Sequence, residues 1–259
     1  MDLQPFPASQ PSALAARPIA VSVVVPMLNE ADNAAPLIAE ITAAFGGGRD
    51  FEIVCVDDGS SDGTAGRLSA AMPSTPGLRL VRHACRAGQS AAIATGVRFA
   101  RGDIVVTLDG DGQNDPADIP RLLAAWLSQP ERERLMIVGL RTRRKDSEMK
   151  RLSSRVANAV RARVLGDNTP DTGCGLKVFA RAAFLDLPSF DHMHRFLPAL
   201  ILRAGGRVQS IPVNHRPRHS GRSNYGTFDR LWAGIVDLFG VMWLGRRRLN
   251  AEAREEPRP

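Results

Sequence analysis

The chain has 259 residues, 44% of them hydrophobic, which is enough for one large α/β domain or two small ones at ordinary globular composition. Its formal net charge is +7, and 31 of its 34 basic residues are arginine, a side chain that grips phosphate through paired hydrogen bonds. An aromatic content of only 5% argues against a nucleic-acid binder, and three scattered cysteines (Cys55, Cys85, Cys174) argue against a disulfide framework or a thiolate metal site.

Residues 1–18, rich in Pro, Ala, Ser and Gln, read as a disordered leader without the charged and apolar blocks of a signal peptide. The run AVSVVVPM (20–27) is β-branched and apolar, as in a strand buried on both faces of a parallel sheet. AAPLIAEITAAF (34–45) has its apolar residues at helical spacing, with Asp32 and Asn33 placed to cap it, and GGGRD breaks it. FEIVCV (51–56) predicts the next strand. DGTAGRLSAAM (62–72) predicts the next helix, capped by Asp62 and Thr64. LRLVRH (78–83), GQSAAIATGVRFA (88–100), DIVVTLD (103–109), PADIPRLLAAWL (116–127) and LMIVGLR (135–141) continue the alternation. Such alternation predicts an α/β fold with a doubly wound, mostly parallel sheet.

Beyond residue 145 the pattern changes. SEMKRLSSRVANAVRARVLG (147–166) predicts a basic amphipathic helix, with Val156, Val160 and Val164 on one side and Arg155, Arg161 and Arg163 mostly elsewhere. DTGCGLKVF (171–179) predicts a glycine-rich turn into a strand. RFLPALILRAG (195–205) predicts an apolar helix whose start, at His194 and Arg195, suits anions. RVQSIPVNHRPR (207–218) predicts a strand, and HSGRSNYGT (219–227) is small and polar. RLWAGIVDLFGVMWLGRRR (230–248) is apolar nearly all round from Leu231 to Leu244, broken only by Asp237 and closed by Arg246, Arg247 and Arg248. It suits a helix lying in a membrane surface, with arginines at anionic headgroups. No stretch reaches the ~18–20 apolar residues of a spanning helix.

Ligands on open α/β sheets bind beyond the carboxyl ends of the strands. Here those ends are PMLNE, DDGSSDGT, HACRAGQSAA, DGDGQNDP and GLRTRR, every one polar, charged or glycine-rich. Asp109 and Asp111 flank Gly110, so in extended geometry both carboxylates point the same way. They can grip one divalent cation with Gln113 as a third oxygen donor, and an all-oxygen set favours Mg²⁺ or Mn²⁺ shared with a substrate diphosphate. The same residue types are also ordinary turn formers. Asp57 and Asp58 end a second buried strand and sit too early to cap the following helix. A carboxylate there can accept from a nucleobase N–H or a ribose hydroxyl. DHMH (191–194) reads as a loop and helix start rather than a metal clip, and Cys174 as a small residue in a tight turn.

SVVVPMLNEADN, VDDGSSDGT, AGQSAAIATGVRFARGD and LDGDGQNDP, followed by GLRTRR, DTGCGLKVF and HRPRHSGRSNYG, resemble the family 2 glycosyltransferases. The resemblance is to the polyprenyl-phosphate sugar synthases of the dolichyl-phosphate mannose synthase group. It covers residues 20–226, and four ordered motifs are far more specific than any one of them. It implies a nucleotide-diphospho-sugar transferase fold of the GT-A type with C-terminal amphipathic helices. It implies that Pro26, Asn29, Glu30, Asp57 and Asp58 line a nucleoside pocket, and that Asp109, Asp111 and Gln113 hold the metal and diphosphate. Arg141 would face the diphosphate or the acceptor phosphate, Arg155 would approach the acceptor phosphate, and Arg218, Gly221 and Ser223 would form a phosphate loop. Asn224 stands where the family pattern has lysine, with Arg222 beside it. The family's D-A-D-L-Q reads D-G-D-G-Q, whose glycines are expected to loosen the loop and leave the ligands unchanged.

The reaction so implied is an inverting sugar transfer from a nucleotide-diphosphate sugar of the GDP or UDP type to a polyprenyl phosphate. It would run with Mg²⁺ or Mn²⁺ on a protein peripheral to the cytoplasmic face of the cell membrane. A phosphate monoester has a second pKa of about 6 and needs little or no general base. The alternative is a hydroxyl acceptor such as a polysaccharide, which needs one. The carboxylates between residues 171 and 200 are Asp171, Asp186 and Asp191. A nucleotidyltransferase would carry a Gly/Lys/Arg-rich loop after the first strand, and PMLNEADN lacks it. The expected division is a leader (1–18), a catalytic domain (19–226), an interfacial helix (227–249) and a disordered tail (250–259).

Overall fold

The structure is a computed structural model that describes residues 20–46, 50–141, 161–217 and 227–247. Seven strands form one sheet: β1 (Val21–Met27), β2 (Phe51–Asp57), β3 (Leu78–Arg82), β4 (Ile104–Thr107), β5 (Leu135–Arg141), β6 (Lys177–Ala180) and β7 (Arg207–Val213). Their order is β3-β2-β1-β4-β6-β5-β7. Every pairing is parallel except those of β6, which runs antiparallel to both β4 and β5. The expected mostly parallel α/β sheet is therefore present, with one reversed strand in its middle.

Helices α1 (Ala31–Phe45), α2 (Thr64–Ala71), α3 (Gln89–Phe99) and α4 (Ile119–Leu127) connect the parallel strands. They are followed by α5 (Arg181–Leu185), α6 (Leu197–Arg203) and α7 (Thr227–Arg246). All seven residues of β1 are buried, because helices cover both sheet faces and leave no side for polar alternation. Leu37, Ile38, Ile41 and Phe45 of α1 face this core, and Phe45 stacks on Phe51 of β2 with ring centroids 4.1 Å apart. Each such fully buried side chain contributes about 1.5–3 kcal/mol of transfer free energy.

Three expectations need correction. Asp32 and Asn33 do not cap α1. The first amides at its N-terminus bond instead across to the β2–α2 loop: Asn29 N to Ser60 Oγ (2.9 Å), Glu30 N to Thr64 Oγ1 (2.8 Å) and Ala31 N to Asp62 Oδ2 (3.1 Å). Asp62 thereby serves two helices, since its Oδ1 also accepts from Thr64 N at 2.9 Å. Second, β4 ends at Thr107, so Asp109 and Asp111 lie in a turn rather than on extended strand. Third, residues 161–165 are helical, but Arg161 is buried and Val164 is exposed, the reverse of the expected faces. Arg161 turns inward because the 167–172 loop supplies its acceptors: Thr169 O at 2.6 Å and the Thr172 hydroxyl.

Candidate active site

The carboxyl ends of β1, β2, β4 and β5 and the turn leading into β6 meet along one edge. The first two are locked together. Asn29, at φ +56°, accepts from Ser61 N through Oδ1 at 2.9 Å, and Asp58 N donates to Met27 O at 2.8 Å. Glu30 is buried and accepts from Asn33 Nδ2. Asp57 is buried, accepts from Ser60 N at 3.1 Å and faces Arg82 Nε at 3.3 Å. Asp58 accepts from Ala87 N and Gly88 N, both at 2.8 Å, and lies 2.7 Å from His83 Nδ1. His83 Nε2 in turn meets Thr95 Oγ1 at 3.0 Å. A buried carboxylate is tolerable only with this many partners. Asp58 thus holds the 83–88 loop on the sheet edge and sets where α3 begins.

At α3's first residue, Gln89 Nε2 donates to Asp109 Oδ1 at 2.9 Å. Asp109 is half-buried. Desolvation first, and the neighbouring Asp111 second, push its carboxyl up to about 6; Lys177, Arg141 and the Gln89 hydrogen bond work the other way. The turn is held shut by Asp109 N bonding to Asn114 Oδ1 (3.2 Å) and Gln113 N to Asp111 Oδ1 (3.1 Å). Gly110 does not loosen it. A Cβ there would lie 2.8 Å from Pro26 O and 2.9 Å from Met27 Cγ, so the missing side chain draws the turn against β1.

The far wall comes from the 171–177 turn. Gly175 sits where any Cβ would fall on the Asp109 carboxylate, and its carbonyl accepts from Thr107 Oγ1 at 2.7 Å. Lys177 is paired with Thr107 across β4 and β6; it is buried, donates to Cys174 O, and its charge acts on Asp109, Asp171 and Cys174. Burial pushes both the Lys177 ammonium down and the Cys174 thiol up, so Cys174 is the inert small residue expected. Arg141, at the end of β5, makes a two-pronged ion pair with Asp171: Nε to Oδ2 and NH2 to Oδ1, each 2.6 Å. Asp171 and its neighbours hold the Arg141 guanidinium above its usual value despite burial.

The opposite rim is fastened by residues 214–216. Asn114 bridges His215, Arg216 N donates to Gln113 O at 2.9 Å, and Arg216 pairs with Asp115 and Glu40 at 2.6 Å each. Among the expected site residues, Pro26, Asn29, Glu30, Asp57, Asp58, Asp109, Asp111, Gln113 and Arg141 share this edge; Arg155, Arg218 and Ser223 lie outside the described residues. Sequence reasoning missed Gln89, Lys177 and Asp171's fixed partner. The Gln in AGQS and the single Lys in GLKVF were visible, but only β6's reversed direction brings Lys177 beneath Asp109.

Among the described residues no three His, Cys, Asp or Glu side chains converge as a metal site. Asp109 and Asp111 supply two neighbouring carboxylates, and desolvation first and the charge of Asp111 second raise the proton affinity of Asp109, a cost that a divalent cation between them would offset. The donor set therefore fits an ion that takes its other ligands from a diphosphate.

Comparison with known proteins agrees with this layout. The chain is 35% identical over 238 residues to dodecaprenyl-phosphate galacturonate synthase of Rhizobium johnstonii, covering 87% of this chain and 67% of that protein. It is 37% identical over 210 residues to undecaprenyl-phosphate 4-deoxy-4-formamido-L-arabinose transferase of Edwardsiella ictaluri, covering 80% of this chain and 63% of the relative. It thus spans about two thirds of the length of such relatives. The fold is shared with mannosyl-3-phosphoglycerate synthase from Rubrobacter xylanophilus (TM-score 0.67, 20% identity, 93% of this chain and 79% of that one). It is also shared with glucosyl-3-phosphoglycerate synthase from Mycobacterium tuberculosis, solved with Mn²⁺, uridine diphosphate and glucosyl-3-phosphoglycerate (TM-score 0.62, 22% identity, 87% and 79%). The profile of glycosyl transferase family 2 matches residues 22–187, which carry β1 to β6 and the whole aspartate edge. With that profile spanning more than half of its length, the chain belongs to glycosyl transferase family 2 and is a glycosyltransferase.

Proposed function

We propose that the protein moves a sugar from a nucleotide-diphosphate sugar of the UDP or GDP type to a polyprenyl phosphate, inverting the anomeric carbon, with residues 19–226 as the catalytic domain. The carrying observation is the Arg141–Asp171 pair. Of the carboxylates of the 171–200 segment, Asp171 reaches the aspartate edge with both its oxygens committed to a guanidinium, and Asp191, beside Gly88, accepts from His192 N. A hydroxyl acceptor needs a free base there; a phosphate monoester, already anionic near neutral pH, does not. The two sequence relatives described above, both polyprenyl-phosphate enzymes by name, support the same acceptor.

In this reading Asn29, Glu30, Asp57 and Asp58 shape the nucleoside side, with Pro26 at its floor. Asp109, Asp111 and Gln113 would hold Mn²⁺ or Mg²⁺, which offsets negative charge on the departing nucleoside diphosphate. The fold relative solved with Mn²⁺ and uridine diphosphate supports that choice. Arg141, charged and fixed by Asp171, adds positive potential on the same side. Arg155 and Arg218 are assigned to the acceptor phosphate, and Ser223 to the donor.

Helix α7 supports a seat on the membrane surface. Its outward face carries Ile235, Val236, Phe239 and Trp243, with Phe239 59% and Trp243 58% exposed. Asp237, which interrupts the apolar run in sequence, points inward to His192 Nδ1 at 2.9 Å. The apolar stripe is therefore continuous and ends at Arg246 and Arg247, the latter over the Trp243 ring. Among the described residues no helix is long and apolar enough to cross a membrane. The reading is of a peripheral protein on the cytoplasmic face.

The test offers UDP- and GDP-sugars with a short polyprenyl phosphate or the matching free polyprenol, with and without Mn²⁺. Transfer to the phosphate and not to the alcohol is expected, with the anomeric configuration of the product reversed by NMR. Equal transfer to the alcohol would overturn the reading.

A further inference from the structure

The turn before α6 holds a histidine that the reaction above does not use. Ser90, in the first turn of α3, is buried, and its Oγ accepts from His194 N at 3.1 Å. The same Oγ lies 2.7 Å from His194 Nδ1. A buried hydroxyl hydrogen needs an acceptor. No other described residue takes it, so Ser90 donates to Nδ1 and the ring's proton sits on Nε2. No described residue accepts from Nε2–H, and that nitrogen is not walled off from solvent.

The ring stands at the active edge. Ser90 directly follows Gln89, which holds Asp109, and the charge of Lys177 reaches both His194 and Asp109. Arg195 and Lys177 make the surroundings positive. Burial chiefly, and then those charges, push the imidazole down to about 3, so it stays neutral. A fixed donor in a positive environment selects an anion. Its neutrality matters chemically, because an imidazolium would hand a proton to a phosphate and blunt it as a nucleophile, whereas a neutral N–H orients the phosphate and leaves its charge intact.

We infer that His194, oriented by Ser90, is a binding residue for the acceptor phosphate, donating from Nε2 to one of its oxygens while the phosphate attacks. The inference rests on the polyprenyl-phosphate reading. Ser90 is a positioning residue, which acts through the ring.

Two measurements on the full chain test it. First, transfer kinetics: His194→Leu raises KM for a short polyprenyl phosphate by about tenfold or more, the usual worth of a charge-assisted hydrogen bond. KM for the nucleotide sugar stays within about twofold. His194→Gln, which keeps a side-chain N–H, recovers most of the loss, and Ser90→Ala gives a smaller rise in acceptor KM alone. Second, ¹⁵N NMR of histidine-labelled protein, assigned with His194→Gln, reports an Nε2–H tautomer whose Nε2 signal moves on adding citronellyl phosphate and not citronellol. The second measurement needs no turnover. If citronellyl phosphate shifts His194 but no isoprenoid phosphate accepts sugar, the subsite stands and the reaction assignment falls. If transfer proceeds while His194 is silent in NMR and its leucine variant keeps its acceptor KM, the assignment of His194 is wrong and the reaction stands. Parallel rises in both KM values would likewise overturn it.

Discussion

Gln89 donates its side-chain amide to Asp109 at 2.9 Å, tying the start of α3 to the end of β4. The bond stabilises the charged carboxylate against the desolvation that raises its proton affinity. Gln89 itself is exposed, so its removal leaves the core untouched. Gln89→Ala is expected to weaken Mn²⁺ binding by about three- to tenfold, roughly 1 kcal/mol. The deficit is larger at pH 6 than at pH 8, because the variant's Asp109 holds its proton to higher pH. Mn²⁺ titration followed by electron paramagnetic resonance at the two pH values checks this.

Asp109 also makes stability depend on pH. Its folded value, about 6, lies above the ordinary 3.8. Between those values the folded chain binds more protons than the unfolded one, so its contribution to stability falls as pH rises through that window. Above pH 6 the charged form is a standing cost that a divalent ion relieves. Mn²⁺ is therefore expected to raise Tm at pH 7.5 and much less at pH 5. Asp109→Asn should be more stable than the parent at pH 7.5 without metal, similar to it at pH 4, and insensitive to Mn²⁺. Thermal melts across this grid decide the matter, and a metal-induced rise in the asparagine variant equal to the parent's would count against the assignment.

Asp171→Asn separates two chemistries. Both partners of the Arg141–Asp171 pair are largely buried, and removing one charge strands the other. The expected loss is about 3–5 kcal/mol of folding stability, with transfer falling in step as the 171–177 turn loosens. A catalytic base would behave differently: turnover would vanish at unchanged stability. Urea denaturation alongside transfer assays distinguishes them.

The outward face of α7 can be blunted without touching the core. Phe239→Ser with Trp243→Ser removes two exposed rings, each contributing about 1 kcal/mol or more to partitioning. Sedimentation with anionic vesicles should drop about tenfold or more, while Tm holds. Undiminished sedimentation would make that face a contact for something other than lipid.

Much of this molecule was legible in the sequence because its signals are local. The β-branched Val21–Val25 run, broken only by Ser22, read as a doubly covered strand, and paired acids after two such strands marked the edge where ligands bind. What escaped depends on distance along the chain. Nothing near Asp32 reveals that α1 is capped from Asp62, about thirty residues on. Glu52 broke an apolar strand for no local reason. In the fold it is wholly buried and accepts from Ser22 Oγ (2.7 Å), Arg79 (2.7 Å) and Arg101 N (2.6 Å), fastening the end of the sheet opposite the site. Helical periodicity put Arg161 on the solvent side; the acceptors of the 167–172 loop turned it inward.

The reversed strand β6 sets the order in which this enzyme can become competent. Residues 20–109 contain four parallel strands that are complete in the chain before β6 begins, with β4 crossing back to pair with β1, Val21 opposite Ile104. Asp109 belongs to that early unit. Its wall, Gly175, and the charge beneath it, Lys177, arrive only after some seventy further residues have been made and the chain has turned back between β4 and β5. Until then Asp109 lacks the wall and the buried charge that surround it in the finished sheet. Closing β6 into the sheet is thus the step at which a general α/β platform acquires the tuned carboxylate of a transferase, and mutations that slow that closure would delay activity without altering the finished site.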